Sequence, residues 1–114
     1  MTVKYERIKK SVDFEKIFQT GKTITGRFVF LKIKRTENKN CRLCFVVGSK
    51  VSKKAVERNK AKRRIREIVR GIYLSLTPGY DIVIVAKKEI LGKNYTEIKE
   101  DIIKTLKAAK TLNQ

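Results

Sequence analysis

The chain has no histidine. Histidine is the side chain whose ordinary pKa suits proton transfer near neutral pH, so its absence removes the usual general acid–base. There are two cysteines, Cys41 and Cys44, in a lone C-x-x-C. Zinc normally takes four ligands from Cys and His, and no His or second Cys pair completes such a set. A redox pair wants its first Cys near a helix N-terminus. This pair instead leads into a strand-like run, where residues three apart point to opposite faces. The pair reads instead as a small core residue plus a neighbour near a strand start. Acidic residues are also scarce, 11 in all. Asp13, Glu15, Asp81, Glu89, Glu97, Glu100 and Asp101 are scattered and read mostly as caps or solvated helix positions. A two-metal protein nuclease would need its carboxylates clustered. No Gly-rich phosphate loop or nucleophile motif is present.

Long apolar runs are missing too. Leu43–Val47 and Ile82–Ala86 are strand length, far short of the ~20 residues a spanning helix needs. The opening MTVKYERIKK lacks the apolar core of a signal peptide. These features point to a cytoplasmic chain with no membrane insertion.

What the chain does have is positive charge. It carries 29 Lys and Arg in 114 residues, for a net charge of +18. Solubility needs a net charge of only about 2–8 in a small domain. Self-repulsion on this scale opposes the compact state. A polyanion relieves it, because each neutralised phosphate releases condensed counterions. Nucleic acid is the leading partner, with an anionic membrane surface second. The length suits one domain over residues 1–114, with enough core to need no disulfide or metal.

The pattern predicts a helix over Ser11–Thr20, with Phe14, Ile17 and Phe18 on one face, Ser11 as cap and Gly21 as stop. Arg27–Arg35 reads as a strand with Phe28, Phe30 and Lys32 on one face and Val29, Leu31 and Ile33 on the other. Thr36–Asn40 reads as a hairpin-type loop, Arg42–Gly48 as a central strand, and Asp81–Lys87 as another buried strand after a Pro78-Gly79 turn. The last helix spans about Asn94–Lys110. Asn94 and Glu97 suggest a capping box, and Tyr95, Ile98, Ile102, Leu106 and Ala109 its apolar stripe. Helices packed on a mixed sheet are the expected architecture.

The long basic helix, from about Ser52 to Tyr73, carries most of the functional signal. At about 100° per residue, Ala61, Ile65, Ile68, Val69 and Ile72 share an arc of roughly 100°, enough to bury against a sheet. Asn59, Lys62, Arg63, Arg66 and Arg70 fall on the opposite side, which Lys60 and Arg64 extend. From Lys50 to Arg70 there are ten Lys and Arg against two Glu, Glu57 and Glu67. A solvated helix mixes signs to gain i,i+4 pairs. Phosphate binding explains this bias better. Arg58 falls inside the apolar arc near the helix start, and Asn59 brings an acceptor as well as donors into a field of cations. Both suggest that the first half of the helix recognises as well as attracts.

At this point the sequence resembles a known family. Ala55–Arg66, AVERNKAKRRIR, is similar to the signature of the protein subunit of bacterial ribonuclease P: Arg-Asn-Arg, one residue, Lys-Arg, two residues, Arg. The link Gly48–Lys54, the first-helix residues Asp13-Phe14, Phe18 and Gly21, the strand opening at Arg27 and the strand Asp81–Lys88 match as well. The resemblance implies an α+β fold: a small α/β sandwich with an about four-stranded mixed sheet, three helices and a left-handed β-α-β crossover around the basic helix. The general rule of right-handed crossovers would have suggested the opposite hand.

The resemblance also implies a function. The holoenzyme is a ribonucleoprotein endonuclease that removes the 5′ leader of precursor tRNA. Its catalyst is a large RNA with bound magnesium, and no protein partner is implied. Arg58, Asn59, Lys62, Arg63 and Arg66 match the motif and would contact the catalytic RNA, with Lys54 and Lys60 adding charge. Lys60 departs from the usual Arg. It keeps the charge and loses the planar, bidentate fork. Phe14 and Phe18 would meet the leader, with Lys32 standing where some relatives carry Tyr. From the residues alone, two Phe one turn apart suit a core equally well. A ribosomal-type or general RNA-chaperone protein is the alternative, and a DNA-binding protein a more distant one.

Overall fold

A computed structural model describes residues 6–8, 11–37 and 40–111, apart from the side chains of Glu6, Ser11 and Asp13. The expected Ser11 cap and most of the opening ten residues lie outside that description. The elements are β1 (Glu6–Arg7), α1 (Ser11–Thr20), β2 (Lys22–Thr25), β3 (Val29–Arg35), β4 (Arg42–Val46), α2 (Ala55–Ile72), β5 (Tyr80–Ala86) and α3 (Tyr95–Ala108). The sheet order is β1-β4-β5-β3-β2, so four longer strands carry a two-residue strand at one edge. Pairing is mixed: β5 runs parallel to β4 and antiparallel to β3.

This order corrects the hairpin expectation for Thr36–Asn40. The two strands it joins are not neighbours, because β5 inserts between them. A loop of polar residues after a strand is compatible with either arrangement, and only the later strand decides. The β4–α2–β5 unit is the crossover implied around the basic helix, with its two strands adjacent and parallel.

One sheet face and two helices enclose the main core. Val29, Leu31, Ile33, Leu43, Phe45, Ile82 and Ile84 meet Ala61, Ile65, Ile68 and Val69 of α2 and Ile98, Ile102 and Leu106 of α3. Full burial of each large aliphatic side chain stabilises by about 1.5–3 kcal/mol. The apolar arc expected on α2 is thus the face it buries. The α3 cap is also as expected: Asn94 accepts from the Glu97 N–H at 2.8 Å, and Glu97 accepts from the Asn94 N–H. Tyr95, expected in the apolar stripe, is exposed instead.

α1 lies on the opposite face, so the sheet sits between layers. Lys32, whose side chain points away from the Leu31 face, reaches over the Phe18 ring of α1. Gly21 permits the tight exit from this helix. A Cβ there would run into the carbonyl oxygens of Ile17 and Ile33.

Two further expectations change. The strand expected from Arg27, β3, starts at Val29, and Phe28 joins the core instead of the Phe30–Lys32 face. The cause is Asp101, buried on α3, whose carboxylate accepts from the Arg27 and Phe28 N–H groups at 2.8 Å each. Those donors are turned toward α3 before sheet pairing begins. Asp101 and Asp81 are therefore not solvated: they are 7% and 2% exposed. Asp81 takes a two-pronged ion pair from Arg42, at 2.8 and 2.6 Å.

Candidate nucleic-acid interface

The outward side of α2 is built by helix periodicity. Asn59, Arg63 and Arg66 recur at spacings of four and three, which stacks them along one face. With Val56, Lys60 and Lys62 they line a shallow concavity of about 500 Å³. No carboxylate lines it. Glu57, the acid of the first turn, is turned aside: its carboxylate accepts from the Ser52 hydroxyl at 2.6 Å. Five of the seven residues expected to meet the catalytic RNA are thus brought together. Val56, 79% exposed at the edge, had no signal in the sequence beyond its break in the charged pattern.

Arg58 and Lys54 sit apart from that concavity. Arg58 is half-buried, as its place in the apolar arc predicts. One arm of its guanidinium donates to the Ser52 carbonyl at 3.0 Å, which anchors the lead-in to the helix. Lys54 is the helix N-cap residue, and its N–H donates to the Ser52 hydroxyl at 3.1 Å. Ser52 thereby ties together Lys54, Glu57 and Arg58. The expected helix start at Ser52 moves to Ala55 because residues 52–54 form this turn instead.

The second candidate surface is the α1 face of the sheet. Strand register places three cross-strand rows there: Lys34–Asp81–Arg42, Lys32–Val83–Cys44 and Phe30–Val85–Val46. α1 packs beside these rows, with Ile17 fully buried. Phe14 and Phe18 are both half-buried, their ring centroids 4.7 Å apart and tilted by 33°. The Lys32 ammonium sits 5.8 Å from the Phe18 centroid. A cation thus stands next to two partly open aromatic rings. Phe30, Val46 and Val85, all half-buried, extend the surface; their part in it depends on register, which one strand's sequence does not reveal.

The cysteines sit as their spacing predicts. Cys41 is buried and Cys44 half-buried. Burial, with the nearby Asp81 charge, pushes the Cys41 thiol up to about 12. Burial also pushes Cys44 up, while Lys62 and Arg7 pull it back.

A mixed sheet with helices on both faces, a basic helix carrying a carboxylate-free concavity and an aromatic–cationic cleft define a small RNA-binding domain. Comparison with known proteins makes this specific. The model of the family described as Ribonuclease P matches residues 3–110. The ribonuclease P protein component of Listeria innocua is 35% identical over 100% of this chain and 95% of its own. That of Geobacillus kaustophilus is 36% identical over 94% and 88%. The solved RNase P protein of Staphylococcus aureus superposes with a TM-score of 0.84 at 32% identity, covering 96% of this chain and 100% of that one. The chain belongs to the ribonuclease P protein family. Its function is that of a ribonuclease P protein subunit, in the processing of tRNA 5′ ends, and its partner is RNA.

Proposed function

We propose that this chain is the binding subunit of a cytoplasmic ribonucleoprotein in which the RNA carries the catalytic centre. Asn59, Lys60, Lys62, Arg63 and Arg66 hold the catalytic RNA, with Lys54 and Arg58 at the helix entrance. The cleft of Phe14, Phe18 and Lys32 takes the 5′ leader of precursor tRNA, with bases against the rings and a phosphate at Lys32. The observation that carries this reading is the concavity on α2, where cations and one amide converge without a carboxylate. The chain's work is electrostatic and positional. It screens repulsion between two polyanions and fixes the leader.

Magnesium belongs to the RNA in this reading. The ion wants an octahedral set of oxygens. Among the described residues no three Asp, Glu or Cys side chains gather to hold an ion. Asp81 and Asp101 are committed to Arg42 and to the 27–28 backbone. The described side chains do not fit a resident magnesium site. Among the described residues no helix is long and apolar enough to cross a membrane.

The test is a cleavage assay on precursor tRNA with protein alone, RNA alone and both. Cleavage should require the RNA, and the protein should lower the magnesium and substrate concentrations needed. Release of the leader by protein alone would contradict the assignment.

A further inference from the structure

A second groove lies across Lys60 from the first. It runs between α2 and the segment leading into α3, with a volume of about 460 Å³. Its floor is apolar, since Ala61, Ile90 and Ile98 are buried. Its rim carries Lys60 and Arg64, one helical turn apart. Glu57 also lines the groove, but its carboxylate is engaged by the Ser52 hydroxyl at 2.6 Å.

Arg64 is held in place. It is half-buried, and its guanidinium donates to the Lys93 carbonyl at 2.5 Å. An exposed Arg gives up rotamer freedom when it binds. Here part of that freedom is already gone. A fixed guanidinium plane is a stacking surface for an unpaired base. An apolar floor suits the base, and a neighbouring ammonium suits its phosphate. The volume lies within the range of small-ligand sites, about 300–1,000 Å³.

We propose that this groove takes an unpaired nucleotide of the catalytic RNA, its base stacked on Arg64 and its phosphate on Lys60. The inference rests on the reading of α2 as the RNA-binding helix. Lys60 lines both concavities, so an RNA strand passing from one to the other crosses it. A compact charge on a flexible stem serves a phosphate on either side, where a planar fork favours one geometry. That gives the Lys at position 60 a role of its own. A protein segment is the competing occupant; the cationic rim and the net charge of +18 favour the polyanion.

The test uses the full chain and the catalytic RNA across a salt series. Arg64→Lys keeps the charge and a donor for the Lys93 carbonyl, and loses the plane. It should weaken binding about tenfold with the salt slope unchanged. Binding equal to wild type overturns the proposal. A photoreactive group carried at Leu91→Cys leaves Arg64 intact and should cross-link to unpaired nucleotides of the catalytic RNA. Cross-links confined to duplex regions of that RNA, or none, also overturn it. Asn59→Ala and Lys62→Ala run alongside. If they weaken binding while Arg64→Lys does not, the groove alone is wrong; if neither weakens it, the reading of α2 fails.

Discussion

Burial, with the Asp81 charge nearby, leaves Cys41, just before β4, with a thiol that resists ionisation. Its folded value of about 12 lies well above that of an exposed thiol. The sign follows. Below the ordinary thiol value both states keep the proton, and the contribution to stability is whole. Above it the unfolded chain sheds the proton first, so that contribution is lost as pH rises toward 12. The thiolate is the reactive form. In the native protein at pH 8, Cys44 should therefore alkylate at least about tenfold faster than Cys41, and urea should equalise them. Timed labelling followed by mass spectrometry reads this. Equal native rates would place Cys41 at the surface.

At this scale the sequence is a good guide to chemistry that depends on local spacing. The C-x-x-C predicted one core residue and one neighbour, and the helix wheel predicted the half-buried Arg58. It was a poor guide to Asp81 and Asp101. Their partners, Arg42 and the 27–28 backbone, lie 39 and 73 to 74 residues away. A carboxylate on a helix or at a strand end reads as solvated unless the tertiary partner is known.

α3 and the β2–β3 bend are joined through Asp101. Its two acceptor oxygens satisfy two backbone donors, and the Thr105 hydroxyl donates to the Asp101 carbonyl at 2.6 Å. Gly26 faces the same spot, where a Cβ would strike the Thr105 hydroxyl. Asp101→Ala leaves two N–H groups in a largely buried place without acceptors. Each orphaned donor costs about 1–3 kcal/mol. The variant should lose about 2–4 kcal/mol in urea unfolding, and Asp101→Asn less, since one acceptor remains. A loss below about 1 kcal/mol for Asp101→Ala would mean that water replaces the carboxylate. Helix existence was legible here from period and caps, because Ile98, Ile102 and Leu106 repeat every four residues and Asn94 pairs with Glu97. Strand partnership was not: the alternation in β3 and β4 says which side chains share a face, and nothing about β5 lying between them.

Over the whole molecule, the sheet separates two kinds of surface. α2 presents a cationic concavity, and the far face presents rings beside Lys32; in the proposed function the first takes a structured RNA and the second a flexible strand. The net charge of +18 leaves the free protein in self-repulsion. Binding RNA relieves that repulsion, which makes affinity steeply dependent on salt. The cationic outer face of the basic helix was legible in the sequence because its charge bias is local and periodic. The cleft could be named only through family resemblance, because two Phe at helical spacing look the same whether they pack or stack.

The most direct measurement is the affinity of the full chain for the catalytic RNA as a function of salt. Wild type is compared with Lys62→Ala and Asn59→Ala. Loss of one phosphate contact should lower the log–log slope by about one for Lys62→Ala. Asn59→Ala should weaken binding by about 1–3 kcal/mol at every salt concentration and leave the slope unchanged. If both variants bind with the affinity and slope of wild type, the RNA does not dock on α2.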